Sequence, residues 1–174
     1  MTYSMTSLLS WLVLFLSGAS VHAALTEGQV RAGFVFNIAK FVEWPSSAFS
    51  AEASPLIMCT HALLPETESA VSLLEGKLVG NRVIQLLKNP SSIKGCHIFY
   101  MGKISRFFMR EKMKSDESVL MISDEPGFIR SGGAIELFLI GNRLAFSVNL
   151  AASRRTGIRL GAPLLQLAHE VVHP

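Results

Sequence analysis

The carboxyl-terminal residues contain a motif that can do zinc chemistry. Residues 169–173 read His-Glu-Val-Val-His, which is the spacing H-E-x-x-H. On a helix, this spacing places His169 and His173 on one face to bind zinc, and Glu170 then serves as the general base. A catalytic zinc site also needs a third protein ligand, and the sequence marks none. We therefore expect a polar tail after a core helix, with an H-E-x-x-H zinc hydrolase as a remote alternative.

Other catalytic patterns are missing from the sequence. The glycines at 127, 132 and 133 do not spell a dinucleotide-binding or phosphate-binding loop, and no G-x-S-x-G nucleophile motif occurs. A turn that needs a permissive backbone is the simpler explanation of these glycines. The sequence thus predicts no catalytic residue, no metal ligand and no cofactor, and we expect the protein not to be an enzyme.

Two short segments carry candidate contacts for a partner or a ligand. Lys40, Glu43 and Trp44 lie at the end of the first predicted helix, and Trp44 either anchors the helix end or lines a pocket. A glycine-containing loop carries Phe128, Ile129 and Arg130. Its apolar residues either are exposed to a partner or fold back over the sheet edge. The basic helix at 105–114 either approaches an anionic membrane or is only solvated.

Cys59 and Cys96 are the only cysteines in the chain. Residues 1–23 have the layout of an export signal, and an even cysteine count in an exported protein favours a disulfide. The bridge would close a loop of 37 residues and stabilise the fold by about 3–4 kcal/mol. We therefore predict the disulfide Cys59–Cys96.

The hydrophobic pattern predicts the elements that position these residues. An apolar face recurs at helical spacing from Thr26, the predicted N-cap, and Trp44-Pro45 is expected to end this helix. Gly141-Asn142 predicts a two-residue hairpin. The predicted helices span 26–44, 66–75, 105–114 and Pro163 through Val171, with a short helical turn at 151–156. In the second helix Ala70, Leu73 and Leu74 are expected to face the core, and in the third Arg106, Arg110, Lys112 and Lys114 are expected to face solvent. The predicted strands span 56–59, 82–87, 96–101, 118–122, 134–140 and 143–150.

The alternation of strands and helices predicts the fold class. We expect a three-layer α/β domain whose mixed, mostly parallel sheet has helices on both faces and an antiparallel C-terminal hairpin. Residues 24–174 form this single domain. The formal net charge of +3 is too small and too scattered to indicate nucleic-acid binding.

The first 23 residues predict export. They contain no Lys, Arg, Asp or Glu, and an apolar run at 8–16 precedes small residues that end in Val21-His22-Ala23. This is the layout of a cleaved signal peptide, whereas a membrane span needs about 20 apolar residues. We expect cleavage after Ala23 and a soluble mature protein in the periplasm.

Two blocks of the sequence resemble a known family. Residues 30–45, VRAGFVFNIAKFVEWP, resemble the opening F-x-x-A-K-F-x-E-W-P signature of the YfiR family of periplasmic regulators. The second block comprises 132–135, 143–149 and 164–168, and the two cysteines fall where that family places cysteines. Some relatives have a second disulfide around the loop that is 124–134 here, and this chain lacks it.

The resemblance implies a role in signalling. YfiR-like proteins inhibit an inner-membrane diguanylate cyclase through its periplasmic sensor portion, and an outer-membrane OmpA-like lipoprotein sequesters them and relieves the block. They form dimers, so a homodimer is expected here. The alternative to this regulator is a periplasmic small-ligand sensor for another membrane signalling protein, which requires a concave pocket with convergent polar groups.

Overall fold

A computed structural model describes residues 24–114 and 117–173. The predicted signal peptide lies outside these residues. The helices are α1 Glu27–Ala39, α2 Pro65–Ser72, α3 Arg106–Lys114, α4 Leu150–Arg154 and α5 Ala162–Leu167, with a 3-10 turn at Ser46–Ala48. The strands are β1 Val42–Glu43, β2 Leu56–His61, β3 Leu78–Val79, β4 Arg82–Lys88, β5 Ile98–Met101, β6 Leu120–Ser123, β7 Ile135–Ile140, β8 Arg143–Asn149, β9 Arg159–Leu160 and β10 Glu170–Val172.

The main sheet is mixed and mostly parallel, as the sequence predicts. Its order is β10-β8-β7-β6-β5-β2-β4-β3. Strands β4, β2, β5, β6 and β7 run parallel to one another, while β8 is antiparallel to β7, and β3 is antiparallel to β4. The predicted hairpin is confirmed, because Ile140 pairs with Arg143 around Gly141-Asn142. A separate ribbon joins β1 to β9.

Alternate residues of the central strands build two apolar cores, one on each face of the sheet. Met58 and Tyr100 belong to the larger core, which α1 and α2 cover. Their neighbours Cys59 and Phe99 belong to the smaller core, to which α3 contributes Phe108. Because successive strand residues point to opposite faces, helices cover both faces of the sheet, as predicted.

Helix α1 begins where the sequence predicts and ends earlier. Thr26 forms a capping box with Gln29, which satisfies two free amide groups of the first turn. The helix ends at Ala39, so the prediction that it continues to Trp44 is wrong. The reason is tertiary, because Val42 pairs with Leu160 of β9 and the Phe41 carbonyl accepts a hydrogen bond from Gly161. Phe41 lies in the turn between α1 and β1 and is 38% exposed, although helical spacing predicts it on the apolar face of the helix.

The prediction of a helix through Val171 is also wrong. Helix α5 ends at Leu167, and Glu170–Val172 forms the edge strand β10, parallel to β8. The His169 amide donates to the Phe146 carbonyl at 2.8 Å and begins this pairing. Pairing with β8 requires an extended backbone, so the helix ends before it, and backbone groups at the edge of β8 gain partners within the chain.

Two side chains lie opposite to their predicted sides. Leu73, the C-cap residue of α2, is 67% exposed and does not face the core. Lys112 is only 8% exposed, and its ammonium group donates to the Glu117 carbonyl at 2.7 Å. Burial lowers the pKa of Lys112 to about 8, with a further lowering by Arg155 that Glu117 opposes. Lys112 therefore fastens the segment before β6 instead of facing solvent.

Candidate functional site

The structure brings Lys40, Glu43 and Trp44 together in one open groove. The groove has a volume of about 410 Å³ and lies at the edge where β2 and β4 begin. Lys40 and Glu43 are exposed and Trp44 is half-buried. The other residues that line the groove are Ala39, Val42, Ser46, Phe49, Leu56, Val79, Gly80, Asn81 and Arg82.

Trp44 both anchors the chain and lines the groove. Its indole Nε1–H donates to the carbonyl of His97 at 3.1 Å, although the two residues are 53 positions apart. The pairing of β1 with β9 delivers Trp44 to this place, since β1 ends at Glu43. The sequence offered anchor and pocket as alternatives, and the structure shows that one side chain does both.

The charged groups of the groove are held by defined contacts. Arg82 donates to the Ser54 carbonyl at 2.6 Å, and its guanidinium carbon lies 3.5 Å from the centre of the Phe49 ring. Lys40 donates to the Asn37 side chain at 3.0 Å and lies over the Phe36 ring. Together with Glu43, the groove thus presents two cations and one anion beside aromatic surface, which suits a partner with mixed charge and an apolar part.

His97 supports the groove from beneath. Its ring stacks on Phe49 with centroids 4.4 Å apart, and Nδ1 accepts from the Ile57 amide at 2.9 Å. Nε2 lies 3.0 Å from the Ala48 carbonyl. Burial lowers the pKa of His97, and the weaker effects of the Ala48 hydrogen bond, Arg82 and Glu117 partly cancel. No motif in the sequence marks this histidine.

The second predicted segment is only partly a surface. Phe128 is fully buried and Ile129 is 7% exposed, so of the two predicted alternatives these residues fold back over the sheet and are not free to contact a partner. The Glu136 carboxylate accepts from the amides of Gly127 and Ile129, at 3.1 Å each, and folds the loop back over the sheet. Arg130 is exposed and lies at the opposite, carboxyl-terminal edge from the groove.

The Cys59–Cys96 disulfide is present. It joins β2 to the residue two positions before β5, with the two Cα atoms 5.8 Å apart. Cys59 is fully buried and Cys96 is 3% exposed. The bridge therefore fixes the start of β5, and with it His97, relative to β2.

The carboxyl ends of the strands contain a polar cluster that the sequence analysis missed. Arg31 lies 3.2 Å from Asp124, and the buried Tyr100 hydroxyl is close to the same carboxylate. Burial raises the pKa of Asp124, and the hydroxyl and Arg31 partly offset this effect. Burial is the largest cause that raises the pKa of Tyr100, and the nearby Asp124 carboxylate raises it further. These residues are far apart in sequence, and no motif connects them.

Doubly wound sheets commonly bind ligands at the carboxyl ends of the strands where the strand order reverses. Here these strands are β2 and β5. The backbone of Ala62 packs directly on Gly102, leaving no room even for a Cβ atom. The usual crevice is thus filled by main chain, and the groove lies at the other edge of the sheet.

A more apolar depression of about 400 Å³ lies along β8 and α5. Phe34 and Phe146 form its floor, and Ile140 and Leu167, which are 49% and 71% exposed, stand at its rim. Contiguous exposed apolar side chains commonly mark a protein contact. We call this depression, with its rim, the apolar face; its residues come from separate elements, and no motif in the sequence connects them.

The H-E-x-x-H residues do not have the geometry of a zinc site. His169 and His173 flank strand β10 instead of sharing a helix face. In an extended strand, residues four positions apart are separated by about 13 Å. A zinc ion that bound both histidines would need a ring nitrogen of each within about 2 Å of the metal. Within residues 24–114 and 117–173, no group of His, Cys, Asp and Glu is arranged to hold a metal ion.

Helix α3 retains an exposed basic surface. Arg106 and Arg110 are exposed, as predicted, and Phe107 beside them is 61% exposed. Among the described residues, the helices are too short or too polar to span a bilayer.

The fold and the site define a disulfide-bonded α/β domain that presents a groove and an apolar face at its surface. The chain belongs to the YfiR/HmsC-like family, whose model matches residues 28–169. The resemblance predicted from the sequence is therefore confirmed. This family comprises periplasmic regulators and is not a known enzyme family.

Proposed function

We propose that this protein is a periplasmic inhibitor of an inner-membrane diguanylate cyclase. It binds the periplasmic sensor portion of the cyclase and lowers cyclic-di-GMP in the cytoplasm. An outer-membrane OmpA-like lipoprotein relieves the inhibition by sequestering the protein. Residues 1–23 direct export and are removed after Ala23, and the mature protein is a homodimer. The observation that carries this proposal is the family match over residues 28–169.

The physical basis of inhibition is a shift between two states of the cyclase. An inhibitor that binds the inactive state more tightly raises the population of that state, and it acts only through this difference in affinity. Sequestration lowers the free inhibitor and restores the active state. The protein therefore acts on a cytoplasmic reaction while remaining outside the cytoplasm.

Two surfaces are candidates for the contact with the cyclase. The apolar face supplies exposed Ile140 and Leu167, whose burial against a partner removes apolar surface from water and so favours binding. The groove supplies Lys40 and Glu43, whose charges provide specificity, beside the indole of Trp44. We assign affinity mainly to the apolar face and orientation to the groove.

The test is a cyclic-di-GMP assay in the source cell. The gene is deleted and then restored in a form with residues 1–23 and in a form without them. We expect cyclic-di-GMP to rise on deletion and to fall only with the exported form. An unchanged level on deletion, or a full rescue by the unexported form, would contradict the proposal.

Matched variants then locate the contact. Leu167→Gln and Ile140→Gln on the apolar face are expected to lose the inhibition, and Lys40→Glu is expected to weaken it. Leu73→Gln is the control, because Leu73 is 67% exposed but lies at the end of α2. Equal loss of inhibition in Leu73→Gln would indicate a general defect in folding or export instead of a lost contact.

A second candidate function is a small-ligand sensor for another membrane signalling protein. The groove favours it, since about 410 Å³ lies within the range of ligand pockets and Lys40, Glu43 and Arg82 converge there. This function predicts that a periplasmic extract shifts the Trp44 fluorescence of the wild-type protein but has no effect on Arg82→Met. The cyclase inhibitor requires no such shift.

A further inference from the structure

His97 occupies a position that only one protonation state of its ring can fill. The Ile57 amide is a donor, so Nδ1, which lies 2.9 Å away, must be unprotonated to accept from it. The ring proton is then on Nε2, which donates to the Ala48 carbonyl at 3.0 Å. The neutral Nε2–H tautomer satisfies both contacts at once.

The ring also supports one wall of the groove. It stacks on Phe49, and Phe49 in turn carries the Arg82 guanidinium on its face. The main chain of His97 accepts from Trp44, which lines the same groove. The contacts of one residue thus reach both aromatic side chains of the groove.

We propose that His97 is a pH-responsive latch of the groove: its neutral ring holds Ala48 and Phe49 against the start of β2, and its protonation releases this wall. A second ring proton places an Nδ1–H against the Ile57 N–H, and two donors at 2.9 Å repel each other. The ring then moves away from Ile57, and the Phe49 wall loses its support. The latch operates whether the groove binds a protein or a small molecule, because it depends on contacts within the chain.

The surroundings of the ring oppose its protonation. Burial is the largest cause of the lowered pKa of His97. The Ala48 hydrogen bond raises the pKa by less, Arg82 on β4 lowers it, and Glu117 before β6 raises it. The ring is therefore neutral near pH 7 and takes up a proton only under acid conditions, below its ordinary value of about 6.5.

The exported form offers a direct probe of the latch. The two tryptophans are Trp11 and Trp44, and Trp11 lies in the segment that export is expected to remove. In protein purified from the periplasm, we expect Trp44 fluorescence to change reversibly as the pH falls below about 6.5. His97→Asn, whose side-chain oxygen accepts from Ile57 without titrating in this range, is expected to lose this change. His169→Asn, at an exposed histidine, is expected to keep it.

Nitrogen NMR of the wild-type imidazole rings gives an independent readout that needs no variant. We expect the Nε2–H tautomer for His97 and a titration midpoint below about 6.5. An Nδ1–H tautomer, a midpoint at or above this value, or an unchanged Trp44 transition in His97→Asn would overturn the proposal. If His97→Asn does not fold, the NMR result on the wild type decides alone.

Discussion

Arg31 Nη1 lies 3.2 Å from Asp124 Oδ2, and this ion pair ties helix α1 to the loop after β6. The two side chains are 12% and 18% exposed, so water screens their charges only partly. Arg31 also pairs with Glu27 one turn earlier on the helix. The Arg31–Asp124 pair holds the first half of α1 at one edge of the sheet. The Lys40 end of α1 borders the groove at the other edge.

Removal of the cation is expected to destabilise the protein. Arg31→Met keeps most of the apolar stem but leaves the Asp124 carboxylate without its positive partner in a mostly buried place. We expect the free energy of unfolding to fall by about 2 kcal/mol, below the range for fully buried pairs because both groups keep some contact with water. Denaturant unfolding monitored by circular dichroism measures the change.

A double-mutant cycle separates this pair from the neighbouring one. Arg31→Met combined with Asp124→Leu is expected to cost less than the sum of the two single variants, since no unpaired charge remains. Glu27→Gln is the control, because the Glu27 side chain is 49% exposed and a helix pair four residues apart contributes only about 0.5 kcal/mol or less. Additive effects of the Arg31 and Asp124 changes would refute the coupling.

The interior of the sheet was predictable from the sequence, and its edges were not. The buried runs 98–101 and 120–122 consist of large, mainly apolar side chains, which is the composition expected of central parallel strands. The ends of α1 and α5 depend instead on partners far along the chain, namely Leu160 for Val42 and Val148 for Val171. Local patterns cannot contain such pairings, which explains why both helices were predicted too long.

The candidate site shows the same limit. Lys40, Glu43 and Trp44 are close in sequence, so they were predictable from a single segment of the chain. Arg82 and His97 join the groove only because β4 and β5 lie on either side of β2. The sequence did not decide whether Phe128 is buried, because an apolar loop residue can contact either a partner or the protein's own core. The hydrogen bonds that Glu136 accepts from the loop fold it back over the sheet.

Gly133 is expected to tolerate no larger residue. A Cβ atom at this position would overlap the ring of Phe128, which is itself fully buried. Gly133→Ala should therefore lower the free energy of unfolding by about 1–3 kcal/mol through overpacking. Thermal or denaturant unfolding of the purified variant checks this value.

Gly33 provides the matched control for the same chemical change. It lies inside α1, and a Cβ atom there would meet no atom within 4 Å apart from its chain neighbours and the backbone of its own helix. Gly33→Ala should raise the free energy of unfolding by about 0.5–1 kcal/mol, since alanine has the higher helix propensity. Destabilisation of similar size at both positions would contradict the packing argument.

Reduction of the disulfide is expected to weaken the fold without a change of architecture. The bridge closes a loop with a sequence separation of 37 and contributes about 3–4 kcal/mol by restricting the unfolded chain. A phosphine reductant should lower the denaturant midpoint of the wild-type protein once the buried sulfurs are reached. The Cys59→Ala/Cys96→Ala variant should show the low midpoint from the start and should not respond to the reductant.

The stability of the protein is expected to fall in acid through His97. Its pKa in the folded protein lies below the unfolded value of about 6.5, so the unfolded chain binds the proton more readily between the two values. The contribution of the neutral ring is therefore complete above about pH 6.5 and is lost as the pH falls through the folded pKa. The free energy of unfolding, measured by denaturant titration at a series of pH values, should show this loss in the wild type. His97→Asn should be less stable near pH 7, because the Ala48 hydrogen bond is missing, and should show a smaller decline in this window. Two results would contradict this prediction: a wild-type free energy of unfolding that rises as the pH falls, or an equal decline in His97→Asn. Either would show that folding does not lower the pKa of His97.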